Sequence, residues 1–267
     1  MALGLSSNFT KERMPVASHV TSNLKMLHRY NAGSVVPVSD GSVYFDNSAA
    51  INTGNEFKST IAAGDISVAF WVKSVEGSGA TGNIFFLGAK QTSSEDIFHI
   101  GHASDGTVLC RIEGNDDSDT ISGAHILVAN HPWTHIAVTF AMGESAGGDG
   151  KIYINGVLDA TTSLSSITKS NWNAYDNGQN IYIGARNNNG SIQSGITGHM
   201  CNVGIWSEIL TQAQIKSIMW KNYAGLIDSE KTNLVSWWNL DVETATDGTA
   251  GSGGVKDSHG SNHGDLE

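Results

Sequence analysis

Histidine pairs and acidic loops are the features of this sequence whose residue types and spacing suggest chemistry. His99 and His102 form an H-x-x-H pair, and His131 and His135 are four residues apart. Residues three apart on a strand point to opposite faces, so His99 and His102 are poorly placed to hold one metal ion. Pro132 interrupts the second pair. We therefore expect packing or surface histidines at all four positions.

Calcium is the better candidate ligand, because a hard cation takes oxygen ligands from loops rich in Asp, Asn and Gly. The predicted metal ligands are Asp241, Asp247, Asp257 and Asn262, with Ser258 beside them, and a second loop offers Asn187, Asn188 and Asn189. The same residue types also form tight turns without any ion. If calcium binds, we expect it in the Asp257 loop.

A carbohydrate site is predicted in the segment "KSNWNAYDNG". Sugar-binding sites combine an aromatic platform with amide and carboxylate hydrogen-bonding groups, and Asn171, Trp172, Asn173 and Tyr175 supply such groups. The alternative is that Trp172 packs at the edge of the fold.

Composition limits the possible partners. The formal net charge is -11, from 15 Lys and Arg against 26 Asp and Glu. A surface that binds nucleic acid phosphates needs clustered Lys and Arg, so we expect no nucleic acid partner. The sequence contains neither an apolar signal-peptide core nor a membrane-spanning run, and it leaves open whether Cys110 and Cys201 pair.

Strand signals follow one another from residue 41 onward. Apolar and polar residues alternate in runs such as "ISVAFWVKS", where Val68, Phe70 and Val72 share one face and Trp71 lies on the other. Clusters of Gly, Asn, Asp and Ser separate the runs. This pattern predicts an all-β sandwich of two antiparallel sheets over residues 41–267, preceded by an extended polar arm at residues 1–40.

Two local signals are specific. In "GKIYINGVLDATTS", Asn155-Gly156 between alternating runs predicts a hairpin, with Tyr153 and Val157 used for packing. In "TQAQIKSIMWKNYAG", Thr211 and Gln214 form a capping box that begins a helix, and Gly225 is predicted to end it. We expect that helix at an edge or open end of the sandwich.

The order of these pieces resembles the laminin-G-like branch of the concanavalin A-like lectin/glucanase fold. "ISVAFWVKS", "WTHIAVTF", "GKIYINGVLDATTS", "IYIGAR" and "GHMCNVGIWSEILTQAQIKSI" follow the family's order within residues 43–223. The resemblance implies a concanavalin A-like jelly roll. The chain departs from it at residues 200–203, where Met-Cys-Asn-Val stands in place of Ile-Asp-Glu-Val, so functions that depend on those carboxylates are not implied.

The tail "LVSWWNLD…VKDSHGSNHG" resembles a segment that follows laminin-G-like domains in many bacteriophage proteins. With the polar arm, it predicts a non-enzymatic virion structural protein (capsid decoration, fibre or tail-associated) that contacts other virion proteins or its own copies through the arm. The alternative is a calcium-dependent carbohydrate-binding module at a cell surface or outside the cell.

A glycosidase is the third hypothesis, because hydrolytic members of the resembled fold use paired carboxylates on one strand. The acidic clusters here are Glu95 with Asp96, and Glu113 with Asp116 and Asp117. Both are predicted to lie in loops, with spacing that does not match such a pair. We therefore expect no catalytic residues.

Overall fold

A computed structural model describes residues 39, 41–57, 60, 64–90, 96–114, 117–144, 147–169, 178–241 and 254–267. The predicted arm at residues 1–40 lies outside the described residues apart from Ser39. The described part forms two facing sheets and two short α-helices. The predicted all-β sandwich is thus confirmed.

The strands are, in chain order, β1 (Val43–Asp46), β2 (Ile51–Asn52), β3 (Asp65–Ser74), β4 (Ile84–Lys90), β5 (Asp96–His102), β6 (Thr107–Gly114), β7 (Asp117–Ile126), β8 (Thr134–Ala141), β9 (Asp149–Ile154), β10 (Val157–Ser163), β11 (Tyr182–Ile183), β12 (Arg186–Asn188), β13 (Ser191–Gln193), β14 (Thr197–Trp206), β15 (Leu234–Trp238) and β16 (Asp265–Leu266). A seven-stranded sheet has the order β1–β14–β3–β8–β9–β10, with β15 beside β14. A nine-stranded sheet has the order β16–β2–β11–β4–β5–β6–β7, with β12 beside β4 and β13 beside β12. The β12–β4 pair is parallel, whereas the other pairs are antiparallel.

The hydrophobic core fills the space between the two sheets. Val68, Phe70 and Val72 point into it from β3, as their alternation predicts. Trp71 lies on the other side of the strand, where its Nε1 donates to the carbonyl of Met219. Phe70 meets Phe86 of the opposite sheet edge to face, with ring centroids 5.7 Å apart. Aromatic contacts of this geometry add to the stabilisation from burial, so the sheets are joined face to face.

The Asn155-Gly156 hairpin forms as predicted and connects β9 to β10. Both residues have positive φ, 50° and 74°, which is the backbone conformation that this turn type requires. The Asn155 side chain also accepts a hydrogen bond from the backbone N–H of His135 on β8. The packing role predicted for Val157 is wrong, because its side chain is exposed.

Two α-helices follow β14: α1 (Gln212–Ile218) and α2 (Asp228–Lys231), with a 3₁₀ helix at Tyr223–Gly225 between them. Thr211 and Gln214 form the predicted capping box. The helix ends at Ile218 rather than near Gly225, and the carbonyl of Met219 accepts a hydrogen bond from Trp71 Nε1. None of the helices described is long and apolar enough to cross a membrane.

Helix α1 covers the outer face of the seven-stranded sheet rather than an edge of the sandwich. Ile215 and Ile218 pack there against Tyr153, Trp206 and Trp237. The strands beneath present apolar residues on that face, and α1 shields those residues from water. The prediction of a position at an edge or open end of the sandwich was wrong for this reason.

The sequence did not predict β7, because "DSDTISGAHI" is mostly polar. Its inward residues include Ile121, which is fully buried, and Asp119. The Asp119 carboxylate accepts hydrogen bonds from the backbone N–H groups of Ser165, Ser166 and Ile167. Asp119 therefore fixes the segment after β10, and its burial follows from that hydrogen bonding.

The two cysteines are both free and buried. Burial raises the pKa of Cys201 to about 12 and also raises the pKa of Cys110. They act as small apolar residues in the core, and they do not pair.

Candidate functional site

The outer face of the nine-stranded sheet contains a depression of about 430 Å³. We call it the outer depression. Its lining residues are Asn83, Phe85, His99, Leu109, Arg111, Thr120, Arg186 and Ser194. They alternate along their strands with core residues such as Phe86, Phe98 and Cys110, and so they face away from the core.

One row of residues crosses the depression in register. Arg186 of β12 pairs with Gly88 of β4, Gly88 with His99 of β5, His99 with Arg111 of β6, and Arg111 with Thr120 of β7. Residues in register on neighbouring strands are nearest neighbours on one face of a sheet. The pairing therefore places one arginine on each side of His99.

A second, more apolar row lies beside the first. Phe85 pairs with Gly101, Gly101 with Leu109, and Leu109 with Ser122. Phe85 and His99 meet edge to face, with ring centroids 4.7 Å apart. This row supplies the apolar floor of the depression.

Each row contains one glycine, Gly88 in the first and Gly101 in the second. A β-carbon on Gly88 would lie 2.5 Å from His99 Cβ, and one on Gly101 would lie 2.2 Å from the carbonyl oxygen of Ile84. Both distances are far below a normal van der Waals contact. The lack of side chains at Gly88 and Gly101 keeps the sheet close-packed and its outer face hollow.

Arg186 is held at one side of the depression. Only 7% of the residue is exposed, and its guanidinium carbon lies 4.1 Å above the centroid of the Phe85 ring. Its Nη2 donates a hydrogen bond to Gln193 Oε1 at 2.6 Å. Stacking on an aromatic ring and a fixed hydrogen bond together limit how far the guanidinium can move.

Arg111 is held at the other side. Its Nε lies 3.3 Å from Glu113 Oε2, and its Nη2 donates to Ser118 Oγ at 3.1 Å. Its side chain remains 36% exposed. Glu113 was predicted to lie in a loop, but it belongs to β6, where it pairs with Ser118 of β7.

The other acidic residues considered for catalysis do not join this site. Asp96 and Asp117 are on strands rather than in loops, at the start of β5 and β7. Glu95 and Asp116 lie outside the described residues. No carboxylate is among the described residues that line the outer depression.

The predicted carbohydrate residues Asn171, Trp172, Asn173 and Tyr175 also lie outside the described residues. The outer depression was not predicted from the sequence. Arg111 and Arg186 each stand in a predicted strand, but 75 positions separate them in the sequence. Only the register of four strands brings them together.

Those predicted calcium ligands that the structure describes include Asp257, whose carboxylate accepts hydrogen bonds from the protein backbone. Asp257 Oδ1 accepts hydrogen bonds from the backbone N–H groups of Trp237, His259 and Gly260, and Oδ2 accepts one from Asn262. Donors that already surround the carboxylate do not fit a calcium ligand set.

The other predicted calcium ligands that the structure describes do not complete a ligand set around an ion. The Asn262 side chain donates to Ser236 Oγ and accepts from Asn55. Asp241 is half-buried at the end of the described segment, and Asp247 lies outside it. Within the described residues, no three His, Cys, Asp or Glu side chains gather as a metal site. Calcium binding stays a prediction.

The histidine pairs separate as expected from their spacing. His99 faces the outer depression, whereas His102 points into the core beside Phe86. His131 accepts the backbone N–H of Ser74, and His135 packs edge to face on Trp71. All four histidines are buried, so they occupy packing positions rather than surface positions.

Comparison with known proteins identifies the family. A laminin G family model, described as the concanavalin A-like lectin/glucanases superfamily, matches residues 45–216. Among curated proteins, no significant match was found.

Two solved structures illustrate the likeness in fold. Ruminococcus gnavus IT-sialidase CBM40 bound to alpha2,3 sialyllactose is 13% identical, with a TM-score of 0.51 over 67% of this chain and 96% of that one. A proposed carbohydrate binding protein from Bacteroides ovatus is 16% identical, with a TM-score of 0.57 over 86% of this chain and 58% of that one. At these identities the similarity concerns the fold. Because the family model spans more than half of the 267 residues, the chain belongs to the concanavalin A-like lectin/glucanases superfamily.

Proposed function

We propose that this protein is a carbohydrate-binding module and that its ligand lies in the outer depression. The observation that carries the proposal is the composition of that depression. Leu109 lies at its base beside Phe85, whose ring is covered by the Arg186 guanidinium. Arg111, Arg186 and Thr120 surround this base with hydrogen-bonding groups. A sugar ring has apolar C–H faces and a rim of hydroxyl groups, and ligand sites that combine an apolar surface with a few placed polar groups suit it.

The compared structures support this function. The Ruminococcus gnavus module has alpha2,3 sialyllactose bound, and the Bacteroides ovatus protein is described as a proposed carbohydrate binding protein. Both share their fold with this chain at low sequence identity. They therefore support the class of ligand more than any particular sugar.

We further propose that the module is non-enzymatic. Glycoside hydrolysis requires two carboxyl groups at the scissile bond. The described lining of the outer depression contains none, and the nearby Glu113 is engaged with Arg111. Binding without hydrolysis is the role that such a lining supports.

A glycan array with the full chain tests the proposal, and Thr120→Trp is the informative variant. Thr120 is exposed beside the depression, so an indole there should fill the site without disturbing the core. Binding to the best glycan should fall by at least about tenfold, which corresponds to 1.4 kcal/mol.

Two controls locate the site. Thr161→Trp places the same group on an exposed position of β10 in the other sheet. Tyr44→Ala removes an exposed aromatic group from the seven-stranded sheet. Both should bind as the unaltered protein does. Absence of binding to any glycan, with or without calcium, would refute the proposed function, and equal losses in Thr120→Trp and Tyr44→Ala would refute the site.

A virion structural role is the second candidate, and the phage-like tail segment from Leu234 to Gly264 favours it. The structures compared above are not phage proteins, so this role stays a prediction, as does localisation in the virion. It is compatible with glycan binding if the particle adheres to cells. Deletion of residues 1–40 should reduce incorporation into virions, and normal occupancy of the deleted protein would argue against a role for the arm.

A further inference from the structure

We infer that the ligand of the outer depression is an anionic sugar, whose carboxylate or sulfate is held by Arg111 and Arg186. The inference rests on the proposed carbohydrate-binding function and names the class of sugar. The charge, the positions and the fixation of the two arginines support it.

Charge is distributed unusually at this site. The chain has a net charge of -11, and a protein of that sign repels anions at long range. The structure describes two arginines, Arg111 and Arg186, and both line the outer depression. No carboxylate is among its described lining residues. Glu113 lies beside Arg111, with its Oε2 3.3 Å from Arg111 Nε, so the described residues at the depression carry two positive charges against one negative charge.

The positions of the two arginines fit one small anion-bearing ring. They stand three strand steps apart along one register row, which corresponds to about 14 Å between their Cα atoms at the normal strand spacing. Gly88 and His99 occupy the positions between them. Since Gly88 has no side chain, both long arginine side chains can approach a ligand that lies over the middle of the row.

Each guanidinium is also held in place before any ligand arrives. Arg186 rests on the Phe85 ring and donates to Gln193, while Arg111 contacts Glu113 and Ser118 through Nε and Nη2. Arginine suits this task because its planar fork matches a carboxylate or sulfate and stacks on aromatic rings. Fixed donors lose less conformational entropy on binding than mobile ones.

The competing explanation is that the arginines only stabilise the sheet. The Arg111–Glu113 contact is partly exposed, and exposed ion pairs contribute little to stability. A purely structural role would predict a change in stability without a change in ligand preference. The two explanations therefore differ in a measurable quantity.

Calorimetric titration of the full chain with three ligands separates them: lactose, 3′-sialyllactose and 3′-sulfolactose. The anionic ligands should bind at least about tenfold more tightly than lactose, a difference of 1.4 kcal/mol. Arg111→Gln should reduce that preference to about threefold or less, because it weakens the binding of both anionic ligands more than the binding of lactose. The tighter of the two anionic ligands identifies the charged group as carboxylate or sulfate.

Controls keep the result interpretable. Arg186→Gln tests the second guanidinium. If loss of the buried Arg186 side chain prevents folding, Arg111→Gln alone tests the inference. Lys151→Gln removes one positive charge from the other sheet and should keep the preference for anions. Equal binding of lactose and the anionic ligands, unchanged in Arg111→Gln, would overturn this inference and leave the proposed function standing. Failure to bind any saccharide would overturn both.

Discussion

Replacement of Asp257 should test whether the tail loop is structural. Its carboxylate accepts four backbone N–H groups, each at 3.0 or 3.1 Å. The donor on Trp237 is buried, whereas His259 and Gly260 are exposed. Asp257→Ala therefore leaves one buried donor unsatisfied, at about 1–3 kcal/mol, and removes three further bonds at about 0.5–1.5 kcal/mol each. We expect a loss of about 4 kcal/mol in the free energy of unfolding.

Asp257→Asn should cost less. The amide oxygen can replace Oδ1, which accepts three of the four bonds, while its NH₂ group faces the N–H of Asn262 without an acceptor. A loss of about 1–2 kcal/mol is expected, since the amide loses one hydrogen bond and the negative charge. The two variants thus have a predicted order as well as predicted sizes.

Urea unfolding measures both losses. With a denaturant slope of about 3 kcal/mol per molar for a chain of this size, Asp257→Ala should lower the midpoint by roughly 1 M. The same titration with and without a calcium chelator examines the calcium prediction, because a bound ion would stabilise the folded chain. A loss in the free energy of unfolding below about 1 kcal/mol for Asp257→Ala would refute the structural assignment of this carboxylate. So would a destabilisation by chelator that is seen in the unaltered protein and absent from both variants.

Three further predictions concern pH and glycine. Burial lowers the pKa of His135 to about 3, while an unfolded histidine titrates near 6.5. The unfolded chain takes up this proton first, so the free energy of unfolding should fall by about 1.4 kcal/mol per pH unit from about 6.5 down to 3. His135→Phe should flatten urea midpoints over that range; an unchanged pH dependence would contradict this. Gly156→Ala should cost about 1–2 kcal/mol, because φ is 74° and the β-carbon would lie 2.8 Å from Lys216 Cγ. Gly147→Ala, with φ of 79° and no atom within 4 Å of an added β-carbon, should cost less in the same titration, and equal losses would exclude the contact. Gly101→Ala should cost about 2–3 kcal/mol and weaken glycan binding, since its β-carbon would displace the backbone at Ile84; a stable variant with unchanged affinity would show that the floor is not close-packed.

Local signals were sufficient to predict most of the fold. The Asn155-Gly156 turn and the Thr211 capping box depend on residues within a few positions of one another, and both form. Alternation also predicted which side of β3 faces the core. By contrast, β7 has little alternation because Asp119 occupies an inward position through hydrogen bonds made far along the sequence. The end of α1 likewise depends on a distant residue, Trp71.

The candidate site was harder to predict because it exists only in the register between strands. Arg111 and Arg186 are ordinary residues within their own segments, and no spacing rule relates them. Gly88 and Gly101 look like interruptions of strands, yet they form the hollow between the arginines and beside Phe85. Sequence patterns give the face on which a residue lies, whereas the neighbour across the sheet depends on which strands pair and in what register.

The two outer faces of the sandwich explain why the ligand site should lie on the nine-stranded sheet. On the seven-stranded sheet, α1 buries Ile215 and Ile218 over the middle of the outer face and leaves Tyr44 and Trp220 exposed. On the nine-stranded sheet, the described residues place no helix over the outer depression, and its polar groups are arginines held by their neighbours. A covered apolar face contributes stability, whereas an open face with fixed charged donors can exchange water for a ligand. The hydrophobic core separates the two faces, so the losses caused by Thr120→Trp and Tyr44→Ala assign the glycan to one of them.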